Sequence, residues 1–197
     1  DIAREIGLSE VRYVTSSRNE ASEKLAEKLG FVLGDKVTSF RLERPYPPRP
    51  KPSPSIVPLP IDAQRAFEAV QQFPDLMNTQ KVPIPFEFEE KTLEGFERIG
   101  KKVNLNLIVS DEGEPLGLYS IRDFMRNEAK RRRATVFSRE RSTFVDMIAR
   151  IIEETENSDI DNLGFFMGPN ASEWASGLAI IPEDMENRYL ILLTLKL

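Results

Sequence analysis

Neither cysteine nor histidine occurs anywhere in the 197 residues of this chain. Without Cys, no disulfide and no thiolate metal site can form. Without His, the usual general base and the commonest metal ligand are missing. Ser-His-Asp and Cys-His mechanisms are thereby excluded within the chain. No run of about 18 apolar residues occurs, so no membrane span or membrane partner is expected. The first residues, DIAREIG, lack the basic start and apolar core of a signal peptide, which points to the cytoplasm. Basic excess is missing too: 27 Lys and Arg against 32 Asp and Glu leave a net charge of −5. That balance argues against bulk nucleic-acid binding. What is present suits a globular chain, with 40% hydrophobic and 30% charged residues. The length allows one large domain or one and a half small ones.

Proline is abundant but unevenly placed. Eight of the fourteen prolines fall in 44–60, RPYPPRPKPSPSIVPLP. This stretch reads as an extended polyproline linker, about 3 Å per residue and up to about 50 Å long. It sets the expected division into 1–43, a linker at 44–60, and 61–197. Its PxxP spacings also suit an SH3-type partner, but composition alone explains them as a stiff strap.

Before the linker, Val11–Phe31 reads as a strand, a tight turn and an amphipathic helix. Ser17 and Glu20 have capping-box spacing, and Asn19 is a second N-cap candidate. Ala21, Leu25 and Leu29 recur every four residues, which puts them on one helical face. Gly30 supplies a left-handed stop. Residues 1–7 read as the end of an earlier helix, with Ile2 and Ile6 one turn apart and Gly7 after them. Residues 31–43 read as two short strands about a Gly34-Asp35 turn.

After the linker, Asp62 caps a helix ending at Pro74, and 91–99 forms a second. Residues 74–89 read as irregular because of Pro83 and Pro85. A hairpin follows: 103–109, a turn at Ser110–Gly113, and 116–121. A strand at 133–138 precedes a strong helix at 142–156 with the stripe Phe144, Ile148, Ile151. A strand at 161–167, a short helix at 171–179 and a final strand at 189–197 complete the chain. Lys130–Arg133 is the one dense basic run. It reads first as a solvated strand end, and second as a phosphate contact.

The run Asn19-x-x-Ser22-x-x-Leu25-Ala26-x-x-x-Gly30-Phe31 resembles the closing part of a GNAT (Gcn5-related N-acetyltransferase) domain. That family shows Asn-x-x-Ala-x-x-Leu-Tyr-x-x-x-Gly-Phe after its fifth strand. Ala26 stands where the family often has a Tyr general acid, so that role is vacant here. By the same resemblance, Asn19 is a cofactor-binding candidate that reaches the pantetheine arm. Its competing role is plain N-capping, and catalytic residues stay unassigned. LIVSDEGEPLGLYSI likewise resembles the second and third strands of the GNAT fold. A short repeat, Arg18–Glu23 against Pro169–Glu173, hints that the fold occurs twice.

The resemblance implies a mixed α/β fold: the C-terminal portion of one GNAT domain in 1–43 and a degenerate GNAT-like domain in 61–197. It implies acetyl-CoA as the cofactor of the intact protein and a small-molecule or peptide amine as acceptor. The family's coenzyme loop is Gln/Arg-x-x-Gly-x-Gly/Ala. Arg139-Glu140-Arg141-Ser142-Thr143-Phe144 occupies its place, with Ser142 and Phe144 where small residues are needed. Gly177-x-Ala179 follows the wrong helix. The isolated chain is therefore expected to be inactive, and Phe144 is expected in the core. The alternative is a non-catalytic module for ligand binding or dimerisation, with a homodimer as its candidate partner.

Overall fold

The computed structural model describes residues 5–16, 19–53, 57–77, 79, 81–84, 87–176 and 189–196. In chain order the elements are β1 (Glu10–Ser16), α1 (Glu20–Lys28), β2 (Val32–Glu43), β3 (Leu59–Pro60) and α2 (Ala63–Val70). There follow β4 (Lys81–Ile84), β5 (Glu87–Glu90), α3 (Leu93–Gly100), β6 (Asn104–Val109), β7 (Pro115–Arg126) and β8 (Ala129–Ser138). The chain closes with α4 (Arg141–Glu156), β9 (Asn162–Met167), α5 (Pro169–Ser176) and β10 (Tyr189–Lys196).

Eight strands form one sheet in the order β1-β10-β2-β9-β8-β7-β6-β3. Only β8 and β9 run parallel, which the crossover helix α4 makes possible. α4 and α5 cover one face through Phe144, Met147, Ile148, Ile151 and Ile152, against Tyr119, Val136, Leu163 and Phe165. α2 and α3 cover the other face at the β6–β7 side, through Ala66, Val70, Phe96 and Ile99. The β4–β5 hairpin lies on that same face, where Phe88 meets Phe166 and Val37. This is the mixed α/β architecture that the resemblance implied.

The helix ends follow the sequence closely. Asp62 Oδ1 accepts from Arg65 N at 2.9 Å, and Thr92 Oγ1 accepts from Gly95 N at 3.1 Å. α1 closes with Phe31 N donating to Ala26 O and Gly30 N to Glu27 O, with Gly30 at φ +87°. That pattern is a Schellman motif.

Four local expectations are corrected. Gly34-Asp35 is not a turn: β2 is continuous there, and it carries an extra residue between the pairs Lys36↔Ile191 and Leu33↔Leu193. The pair forms a bulge, because β10 offers a partner on that side. Residues 74–89 are not wholly irregular. They contain a single-turn helix, Pro74–Leu76, and the β4–β5 hairpin, with Pro83 on a two-stranded ladder that has free edges. β7 and β8 are longer than expected, because Asn127 and Glu128 (φ 52° and 62°) make a tight hairpin turn between them. The α1 stripe does not face the core: Leu25 and Leu29 are 58% and 61% exposed, and Ala26 is buried against Leu193 instead. Residues 1–4 of the first expected helix and 177–179 lie outside the described residues.

The proline-rich segment adheres to α4. Arg44 donates to the carbonyls of Thr155 (3.0 Å), Ser158 (2.6 Å) and Ile160 (3.0 Å), which satisfies the helix C-terminus. Arg49 pairs with Glu156. Ser53 N donates to Asp146 Oδ1, and Arg150 Nη2 donates to Ser53 O, each at 3.0 Å. The segment then supplies β3, which pairs with β6 at the far edge of the sheet.

Candidate functional site

The parallel pair β8–β9 sends two helices away from one end of the sheet, so two helix N-termini meet there. At such ends, unpaired backbone amides and the helix dipole favour anions. In this chain both ends already hold a carboxylate.

At α4, Glu140 Oε1 accepts from the hydroxyls of Ser142 (2.8 Å) and Thr143 (3.0 Å). Phe144 is fully buried, its ring centroid 5.8 Å from that of Trp174. Gly117 of β7 abuts the same turn: a Cβ there would come within 2.7 Å of Met147 Sδ. Residues 140–144 therefore do not fit a coenzyme pyrophosphate. The turn carries its own negative charge, and its large apolar side chain is anchored in the core.

At α5, Asp75 from the single-turn helix Pro74–Leu76 accepts from Asn170 N (2.9 Å) and Ala171 N (3.3 Å). A Cβ at Gly168 would lie 2.4 Å from Asp75 Cγ, so glycine is required for this approach. Burial pushes the Asp75 carboxyl above its ordinary range, and the two amide bonds only partly offset this. The turn that carries Asp75 fills the space in front of α5.

Asn19 is an exposed N-cap: its Oδ1 accepts from Ser22 N at 3.2 Å, and it sits at φ −104°. It lies with α1 on the β1–β10 side of the sheet, away from the α4 terminus. Ala26 is buried. The structure does not bring either residue to residues 139–144.

A hollow of about 1040 Å³ lies at the β3–β6 edge. Its lining includes Asn106, Tyr119, Asp123, Arg132 and Glu154. Arg132 donates to both oxygens of Asp123, at 2.8 Å each, and to Thr155 Oγ1 at 3.3 Å. Burial, and then the charge of Glu154, push the Tyr119 hydroxyl far up, so it stays a neutral phenol. Burial also raises Glu154, against the pull of Arg132 and Arg150. This arrangement can bind and orient a polar ligand by a fixed ion pair and a phenol. Sequence reading missed both: Asp75 sits in no motif, Tyr119 reads only as part of a hairpin strand, and each gains its role from a distant element.

Solved structures with this architecture are numerous. A GCN5-related N-acetyltransferase from Anabaena variabilis matches at a TM-score of 0.56 and 12% identity, covering 97% of this chain and 47% of that one. The chain has a GNAT fold. A GCN5-related N-acetyltransferase from Sphaerobacter thermophilus matches at 0.52 and 12%, covering 95% and 59%. An N-myristoyltransferase from Saccharomyces cerevisiae, solved with myristoyl-CoA and inhibitors, matches at 0.57 and 11%, covering 98% and 54%. The GNAT-like chain thus spans about half the length of these neighbours. No family model matches the sequence, and no curated relative matches it. No described helix is long and apolar enough to cross a membrane.

Proposed function

We propose that this chain is the C-terminal part of a tandem GNAT-type N-acyltransferase, and that the GNAT-like unit formed by 61–197 does not itself carry acyl-coenzyme A. The observation that carries this reading is the double block at the sheet end: Glu140 with Phe144 at α4, and Asp75 at α5. In a fold associated with acyl transfer, those positions are closed by the chain's own carboxylates and a core ring. Residues 1–43 would then be the closing elements of the catalytic unit. The surface of that segment supports this: among the described residues, seven of the twelve exposed large hydrophobics fall between Ile6 and Leu33. Exposed apolar side chains concentrated in one segment suit contact with another part of the protein. The reaction of the whole protein would be acetyl transfer to a small-molecule or peptide amine, with acetyl-CoA as cofactor.

Assay of residues 1–197 with acetyl-CoA and a panel of amines tests the reading. The expected result is no turnover above a protein-free control, and no calorimetric heat with millimolar acetyl-CoA. Steady turnover, or coenzyme seated against residues 139–144, overturns it.

A second reading is favoured by the hollow beside Tyr119: a non-catalytic module that binds a polar ligand. A screen of polar metabolites by thermal shift tests it. A hit that is lost in Tyr119→Phe or Asp123→Asn, while acetyl-CoA stays silent, selects it.

A further inference from the structure

The sheet face opposite α4 carries a row of charge that no part of the closed acyl site uses. Strand pairing sets it out: Arg41 pairs with Gly164, Gly164 with Arg133, and Arg133 with Arg122. The four positions form one line across β2, β9, β8 and β7. Adjacent strands lie about 4.8 Å apart, so the three arginines fall within about 15 Å. The next row adds Arg131, beside Phe124 and across from Asn162. Arg126 follows two residues beyond Phe124 on the same side of β7.

This is an expensive arrangement. Like charges directly across a β-ladder are destabilising, and Arg122 faces Arg133 in this way. Arg133 is only 5% exposed. Burial first, and then the charges of Arg41, Arg131 and Arg126, bring its guanidinium down to about 10. Among the described residues, Arg41, Arg126 and Arg131 have no carboxylate in ion-pair range, and Arg131 Nε is buried without a hydrogen-bond partner.

It is also a built arrangement. Arg133 Nη1 donates to Arg132 O (2.8 Å) and Asn162 Oδ1 (3.0 Å), and its guanidinium lies 5.5 Å from the centre of the Phe124 ring. A Cβ on Gly164 would come within 2.6 Å of Arg133 Cδ and Nε. Glycine there lets the arginine lie flat across β9, toward Arg41. The row is bounded on one side, where the β4–β5 hairpin covers the Phe166 row, and on the other by exposed Glu43.

We propose that this arginine row binds a small molecule bearing linked phosphates, such as a nucleoside triphosphate. Planar guanidinium forks match phosphate oxygens pairwise, and several fixed on one strand row match several linked phosphates. A long nucleic acid fits less well, because the patch is short, bounded by Glu43, and set on a chain of net charge −5.

The test uses the full chain and four probes at low salt: ATP, AMP, inorganic tripolyphosphate and a single-stranded RNA oligomer. Calorimetry is expected to show tripolyphosphate and ATP binding at one site, with AMP at least about tenfold weaker. Arg41→Glu, an exposed change that leaves the core intact, is expected to weaken tripolyphosphate at least about tenfold. Arg131→Gln should weaken it as well, while Glu43→Gln should tighten it. Circular dichroism melting establishes that each variant is folded. No heat with millimolar tripolyphosphate overturns the proposal. So does an unchanged affinity in folded Arg41→Glu, which would place binding elsewhere. RNA binding tighter than tripolyphosphate, and equally sensitive to Arg41, would make the row part of a nucleic-acid surface and overturn the small-ligand assignment.

Discussion

Asp75 and Phe144 show how single side chains decide what this sheet end can do. Asp75 is an acid whose folded pKa lies above its ordinary 3.8. Between the unfolded and the raised folded value, the folded form binds more proton than the unfolded chain does. Stability is fully present below the unfolded pKa and falls as pH rises through the raised folded value. Urea midpoints measured upward from pH 3.8 should show this decline, and Asp75→Asn should flatten it, since an amide never ionises. Phe144 offers a second check. Truncation to Ala removes a fully buried ring from the stripe that seats α4, so denaturation should report a loss of about 3–5 kcal/mol. Ser142, at the exposed end of the same turn, should cost far less when changed to Gly. An equal cost at both positions would mean that the turn, and not the ring, holds the site closed.

Elements were legible where their signals were local. The stripe Phe144–Ile148–Ile151, the cap Asp62, the apolar spacing of Leu93, Phe96 and Ile99, and the turn before Glu114 all act within a few residues, so they named α4, α2, α3 and the β6–β7 hairpin. Elements defined by distant partners were not legible. Gly34-Asp35 carries a turn signature, but pairing with β10 holds it extended. Pro83 reads as a breaker, yet it sits opposite Phe88 on a free-edged hairpin. The arginine row was legible only in part: Lys130–Arg133 stands out as a basic run whose second reading is a phosphate contact, but Arg41, Arg122 and Gly164 join it only through the sheet. One packing consequence at this scale is testable. The first turn of α3 lies against β5 so closely that a Cβ on Gly95 would sit 2.0 Å from Glu90 O. Gly95→Ala must push the helix off the hairpin and should lower the denaturation midpoint sharply. Gly100, at the other end of α3, has nothing within 4 Å. Gly100→Ala should be neutral or stabilising by up to about 1 kcal/mol.

At the scale of the whole molecule, the proline-rich segment looks like a boundary in sequence, yet the strands on either side of it share a sheet. β2 hydrogen-bonds to β9 on one side and to β10 on the other. A protease site placed in the segment and cut should therefore leave 1–43 bound to the rest. The two fragments are expected to co-elute in gel filtration and to separate only in denaturant. Fragments that part in native buffer would show that the ladder is too weak to hold them. The exposed apolar side chains between Ile6 and Leu33 belong to this scale as well. Their exposure was not legible in the sequence, because the spacing of Ala21, Leu25 and Leu29 puts them on one helical face without saying which neighbour covers it.

The place of β2 also sets an order of events at the ribosome. Its first partner, Asn162, leaves the exit tunnel about 120 residues after Glu43 does, and β10 comes later still. At about 5–20 residues per second, a twelve-residue strand waits many seconds with both edges unpaired. A nascent chain stalled before β9 should thus be sticky and protease-sensitive across residues 32–43, and one released after β10 should not. Moving the coding segment for β1–α1–β2 to the end of the gene, by circular permutation, would abolish that wait while leaving every pairing in place.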